Sequence, residues 1–225
     1  MPDSPLIGYS FDDRIGRYRS GPTGRFVARD RILDLLDAQT TGAEQRMRDL
    51  TTGAHDGTIA VAVWLELMRT ELQRLHLQQA AIAAGGWDRL TPDEIQRIQM
   101  ALDEQYGYLA NFGAEMQDTE RKPTLPQALS RTAAYIGAAR VIFWAIERDR
   151  RQPSAPDMTI IEKRDLDETA LHCPECPMHA QRGYQLIGVL PAPGEQCACK
   201  NRCRCRLVQR EVPTSELGEW IGTYR

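Results

Sequence analysis

From Arg25 to Arg151 apolar residues return every three or four positions, the period of an α-helix and not the two-residue period of a strand. Phe26, Val27, Ile32, Leu35 and Leu36 open a first stripe, Met47 and Leu50 extend it, and Gly53 is read as its end. Val61, Trp64, Leu65, Met68, Leu72 and Leu75 form a second stripe, stopped by Gly85-Gly86. Thr91-Pro92-Asp93-Glu94 starts a third, with Thr as N-cap, Pro at the first helical position and acids in the first turn. Ile95, Ile98, Leu102, Tyr106, Leu109 and Phe112 carry it onward. A fourth opens near Leu125-Pro126, places Leu129, Ala133, Ile136, Ala139, Ile142, Phe143 and Ile146 on its face, and runs out in the charged residues 147–151. Long helices joined by short connections predict an antiparallel bundle over 26–151.

The flanks break this period. Residues 1–25, with Pro2, Pro5, Pro22 and scattered aromatics, read as an extended N-terminal arm with few core positions, ending in the turn Gly21-Pro22-Thr23-Gly24. Gln152-Pro153-Ser154-Ala155-Pro156 is a linker. Beyond it, short β-like runs (Thr159–Ile161, Tyr184–Ile187, Arg206–Val208) are separated by turns and by every cysteine of the chain, so 157–210 is a second, smaller module. The tail, 211–225, carries Trp220 and Tyr224 and either docks back as a short helix or engages a partner. The predicted fold class is mainly α: an antiparallel helical bundle with an extended N-terminal arm and a small cysteine-rich α+β module.

Composition narrows the function. Apolar residues make up 42% of the 225 and charged residues 26%, ordinary values for a chain that folds. The 28 Lys+Arg and 31 Asp+Glu give a net charge of -3, so binding to nucleic acid or an anionic surface requires a local patch. The stretch from Ile59 to Leu77 is broken by Glu66, Arg69, Glu71 and Arg74 and does not read as a membrane span. The first residues lack a basic segment followed by an apolar run, so no secretory leader is expected and folding in a cytoplasm is.

The chemistry that stands out is sulfur. Cys173-Pro-Glu-Cys176 is followed by Cys197-Ala-Cys199 and Cys203-Arg-Cys205, with His172 and His179 beside the first pair. A C-x-x-C pair puts two thiolates on one tight turn, as a tetrahedral Zn²⁺ site needs, and a second thiolate group about twenty residues on completes it. The expected ligands are Cys173, Cys176, Cys203 and Cys205, with Cys199 the substitute, around a closed structural Zn²⁺. Disulfides are the alternative, because a module this short buries little apolar area and needs a staple. No H-E-x-x-H and no H-x-E followed by P-C-x-x-C accompanies the cysteines, so a catalytic zinc is not expected. Thiol redox chemistry is disfavoured too, since the C-x-x-C pair lacks a βαβ setting.

The string HCPECPMHAQRGYQLIGVLPAPGEQCACKNRCRCRLV resembles the C-terminal region of the bacteriophage Mu F-like head morphogenesis proteins, the phage minor head proteins. The matching elements are Cys173/Cys176, the β-like run from Gly183 to Ile187, the turn with Pro191 and Pro193, and Cys203-Arg204-Cys205-Arg206-Leu207. The likeness covers 165–210, with weaker likeness at Arg131, Tyr135 and Arg140 and in the arm. Where that family often carries His-Pro before its last cysteines, Cys199-Lys200-Asn201-Arg202 stands here, so the ligand set need not follow the family's.

The resemblance implies a virion structural protein, non-enzymatic, assembled in the host cytoplasm. It would act at the head or its neck through contacts with portal, capsid or neck subunits, and would oligomerise in the particle. Trp220 and Tyr224 are the expected partner-binding residues. A second reading is a zinc-containing nucleic-acid-binding accessory protein: Lys200, Arg202, Arg204 and Arg206 crowd the last cysteines without an acid among them and would contact phosphates. Enzyme signatures are missing, since Gly21-Pro-Thr-Gly-Arg25 lacks the Lys-Ser/Thr ending of a phosphate loop. His55, His76 and the aromatics at helical spacing read as surface or core positions.

Overall fold

A computed structural model describes residues 5–12, 14–199 and 203–221. The chain divides into two compact units, Met1–Phe143 and Trp144–Arg225.

The first unit begins with a β-hairpin where the sequence predicts an extended arm. β1 (Tyr9–Asp12) pairs antiparallel with β2 (Arg17–Ser20), Tyr9 opposite Ser20 and Asp12 opposite Arg17. Two of its residues are core: Leu6 and Tyr18 are buried, and the Tyr18 hydroxyl donates to the Ile82 carbonyl at 2.8 Å. Burial pushes the Tyr18 phenol above its ordinary range, so it remains a donor. Arg19 completes the hairpin by pairing with Asp12 at 2.8 Å and lying over the Phe26 ring.

Four helices follow: α1 (Arg29–Asp56), α2 (Val61–Ala84), α3 (Pro92–Gln117) and α4 (Leu125–Arg150). Side-chain contacts fix their directions. Gln79 reaches Thr40, Arg46 meets Glu71 and Trp64 meets Thr51, so α1 and α2 run antiparallel. Tyr106 bonds the Arg69 carbonyl and Leu65 lies against Gly113, which sets α3 antiparallel to α2. Arg131 pairs with Glu115 and Gln105 with the Tyr135 carbonyl, so α4 reverses again. Thr132 against Thr51 and Arg140 against Asp37 close α4 back onto α1. The result is the up-down-up-down bundle that the periodicity predicts.

Its core is built on Trp64, Met68, Leu72, Leu109, Phe112 and Leu36, none of which is exposed to solvent. Trp64 and Phe112 meet edge to face at 5.1 Å. Burying each such side chain contributes about 1.5–3 kcal/mol relative to leaving it in water. The Trp64 indole N–H donates to Thr51 Oγ1, which shares a hydrogen bond with Thr132, so this polar cluster is satisfied internally.

α3 begins as its sequence predicts, with Thr91 and Glu94 bonded reciprocally in a capping box. α1 does not end at Gly53. That glycine lies inside the helix, where a Cβ would stand 2.7 Å from Ile59 Cδ1, and the helix stops at Gly57 with φ 85°. Gly53 is a packing notch, and the stop signal is four residues later.

The second unit is smaller and mixed. The boundary falls within α4, ahead of the 152–156 linker. β3 (Met158–Asp165) is the centre of a three-stranded antiparallel sheet, with β4 (Gln185–Leu186) on one side and β5 (Arg206–Pro213) on the other. β3 and β5 pair along their whole length, from Met158 opposite Pro213 to Asp165 opposite Arg206. A short α5 (Glu175–Gln181) lies between β3 and β4 in sequence. The tail forms a 3₁₀ turn (Thr214–Glu216) and one helical turn, α6 (Leu217–Trp220).

Along β3, Ile160, Glu162 and Arg164 share one face by the period of two, and all three are buried. Glu162 is paired bidentately with Arg148 from the end of α4, at 2.7 and 3.2 Å, and also accepts from the Gly188 N–H. Arg148 donates in addition to the Leu190 carbonyl. Among the described residues no helix is long and apolar enough to cross a membrane.

Candidate metal centre

The antiparallel register explains how cysteines far apart in sequence meet. β3 ends at Asp165 opposite the start of β5 at Arg206, so the segment leaving β3 and the segment entering β5 lie side by side. The first brings Cys173 and Cys176 on a turn closed by the Cys176 N–H to the Cys173 carbonyl at 3.1 Å, directly before and inside α5. The second brings Cys203 and Cys205. The loop between contributes Cys197 and Cys199, held toward α5 by the Glu175 carboxylate, which accepts from the Ala198 N–H. The His179 ring, one turn further along α5, meets the Gln196 carbonyl at 3.2 Å and anchors the same loop.

All six cysteines are free thiols. Cys176, Cys197, Cys203 and Cys205 are buried and form a core cluster with Leu166, Cys173 and Cys199 packed on it. Cys173, Cys176, Cys197 and Cys199 bring their sulfurs within 4.8 Å of one another. The closest approaches, Cys173–Cys176, Cys173–Cys199, Cys176–Cys199 and Cys197–Cys199, are all 3.4 Å. A disulfide needs about 2.05 Å, whereas sulfurs at the corners of a tetrahedron about 2.3 Å from its centre stand about 3.8 Å apart. These four cysteines are therefore spaced to hold a metal ion and are not disulfide bonded.

Without a cation such a cluster is costly, because thiolates repel and burial disfavours charge. Burial raises the Cys176 thiol, and burial together with the thiols of Cys173, Cys197 and Cys176 raises Cys199. The Cys205 thiol is raised chiefly by its hydrogen bond to Cys203, which in turn is lowered by accepting it. A bound divalent ion displaces those protons and links the site to folding.

The expected ligands divide. Cys173, Cys176 and the substitute Cys199 fall in the four-cysteine group; Cys203 and Cys205 fall beside it, Cys203 at 3.8 Å from Cys176 and Cys205 at 3.9 Å from His172 Nδ1. Cys197, absent from the expected set, is the group's fourth member. The signal for it is in the sequence: Cys197-Ala-Cys199 has the same spacing as Cys203-Arg-Cys205, and spacing alone does not say which pair joins the C-x-x-C turn.

Of the basic residues expected at a nucleic-acid surface, Arg204 is exposed and Arg206 half-buried; Lys200 and Arg202 lie outside the described residues. Trp220 packs edge-on to Tyr184 at 5.8 Å, with the Arg210 guanidinium 4.6 Å over its ring. It thus docks on the second unit's own sheet, while Tyr224 lies outside the described residues. No family model, no curated protein and no solved structure matches this chain.

Proposed function

We propose that this chain is a structural component of a phage virion, a minor head or head-proximal connector or neck protein that works through protein–protein contacts and not through catalysis. The observation that supports this most is where the resembling elements fall. The C-x-x-C turn and the C-R-C ending, the two parts of the likeness to phage minor head proteins, converge at one buried thiol knot at the end of the β3–β5 ladder. A metal held there by four protein sulfurs has no open position for substrate, which is the property of a structural zinc and not of a catalytic one. Zn²⁺ is the ion proposed, for its affinity for thiolate in a tetrahedral donor set.

The test is recovery of the 225-residue chain, tagged and co-expressed with phage portal, capsid and neck proteins. Stoichiometric, salt-resistant co-purification with any of these, as an oligomer, is the expected result. Binding that goes instead to duplex or single-stranded DNA and falls steeply with salt would replace this reading with that of a nucleic-acid accessory protein, using Arg204 and Arg206.

A further inference from the structure

We propose that the thiol knot holds two thiophilic divalent ions that share the Cys176 thiolate, with His172, Cys203 and Cys205 completing a second site beside the four-cysteine one. This rests on the metal reading above and adds to it an ion and three ligands.

The donor count is the first argument. Two four-coordinate ions need eight donor positions. The knot offers seven donors, six sulfurs and one imidazole, and one shared sulfur makes eight. Cys176 is placed to be that sulfur: it belongs both to the group with Cys173, Cys197 and Cys199 and to a second group with His172 and Cys205, whose donor atoms also lie within 4.8 Å of one another. It is fully buried and stands 3.8 Å from Cys203, the tetrahedral edge length.

His172 is the second argument. Its Nε2 meets the Asp167 carbonyl at 2.8 Å, a contact that requires the proton on Nε2. The Nδ1 lone pair is then free and faces Cys205 at 3.9 Å. A backbone carbonyl that fixes the tautomer and leaves the other nitrogen open is the usual outer support of a metal-bound histidine.

Arg164 is the third. Its guanidinium, on β3, is 2% exposed and bonds the Pro191 carbonyl. Among the described residues no carboxylate pairs with it, and its nearest anionic candidate is Cys203, 3.9 Å from Nη1. Buried charges occur paired, and besides the Pro191 carbonyl the group that Arg164 faces is the Cys203 sulfur. A single ion in the four-cysteine group would leave the Cys205 thiol and the His172 Nδ1 facing each other with no metal between them.

Elemental analysis and native mass spectrometry of the full chain, purified with zinc present, read the stoichiometry directly. Two zinc ions per chain are expected, falling to one in His172→Gln. Replacement by ¹¹³Cd should give two resonances split by coupling through a common sulfur. One zinc in both the wild type and His172→Gln would overturn the second site and leave the four-cysteine site standing; no zinc at all would overturn both. Two cadmium resonances without mutual coupling would remove Cys176 as a bridge.

Discussion

Around Trp64 the interior of the bundle is mostly hydrocarbon, with Thr51, Thr132 and the indole bonded to one another and His76 and Gln79 buried further along α2; around Cys176 the interior of the second unit is sulfur. The bundle gains from area, each buried side chain adding a little, and tolerates the loss of any one. Past the end of α4 the smaller unit buries only a few apolar side chains among the described residues, Ile160, Ile161, Leu190, Ala192, Leu207 and Val212, and concentrates its stability at the thiols. Size dictates the difference: a short segment must substitute a few strong bonds for many weak ones.

The sharpest way to break that contrast is to remove the ion. Cys176→Ser, or a strong chelator, should unfold the second unit outright, since structural zinc supplies about 10–16 kcal/mol of apparent binding free energy in small domains. Hydrogen exchange should show protection lost from 158 to 213 and retained in α1 to α3, and a loss shared by both would merge the two units into one. Next in size, Trp64→Ala should lower bundle stability by about 3–5 kcal/mol, roughly 10–20 °C in Tm for a unit of this size, with metal content unchanged.

Arg148→Met tests the second unit's other strong point. It leaves Glu162 buried without its cation, a loss of about 3 kcal/mol, and Arg148→Met with Glu162→Leu should recover most of it in urea titrations. Acid probes the bundle more gently. His76 is buried, its Nδ1 bonded to the Leu72 carbonyl, and burial pulls its pKa from 6.5 down to about 4. The unfolded chain then takes a proton that the folded one refuses, so stability falls as pH drops through 6.5 and levels off below 4. At pH 5 the loss is about 2 kcal/mol, and His76→Gln should flatten that slope in thermal melts of the bundle. Smallest is Thr91→Ala, which opens the capping box at α3 for about 1 kcal/mol, measurable as a shift in the urea midpoint with an unchanged slope.

The helices were legible because burial on one face imposes a period that Val61 to Leu75 or Ile98 to Phe112 display openly. The hairpin was not, because its place in the core rests on isolated residues, Leu6, Tyr18 and the Phe11 ring against Gly85, and one hydroxyl reaching Ile82 leaves no periodic trace. Gly53 misleads for a related reason: a glycine that admits Ile59 and one that ends a helix are the same letter. At the cysteines, spacing shows that thiols gather but not how they are shared out, since Cys197/Cys199 and Cys203/Cys205 are alike in sequence and are told apart by the strand register. Glu162 and Arg164 carry no periodic signal in the sequence; only the tertiary structure shows both buried, Glu162 against Arg148 and Arg164 against the Pro191 carbonyl and the Cys203 sulfur.

The pairing of Met158 with Pro213 sets how the small unit responds to tension. The near ends of β3 and β5 lie together at the end of the ladder away from the thiols, so once Arg148 has left Glu162 a pull on those ends peels β3 from β5 one residue pair after another instead of shearing all eight at once. Such a joint yields at low force from the stem and meets the metal knot last. Under load the unit would lengthen by unzipping, then hold at its tip, and close again from that tip when the load is released.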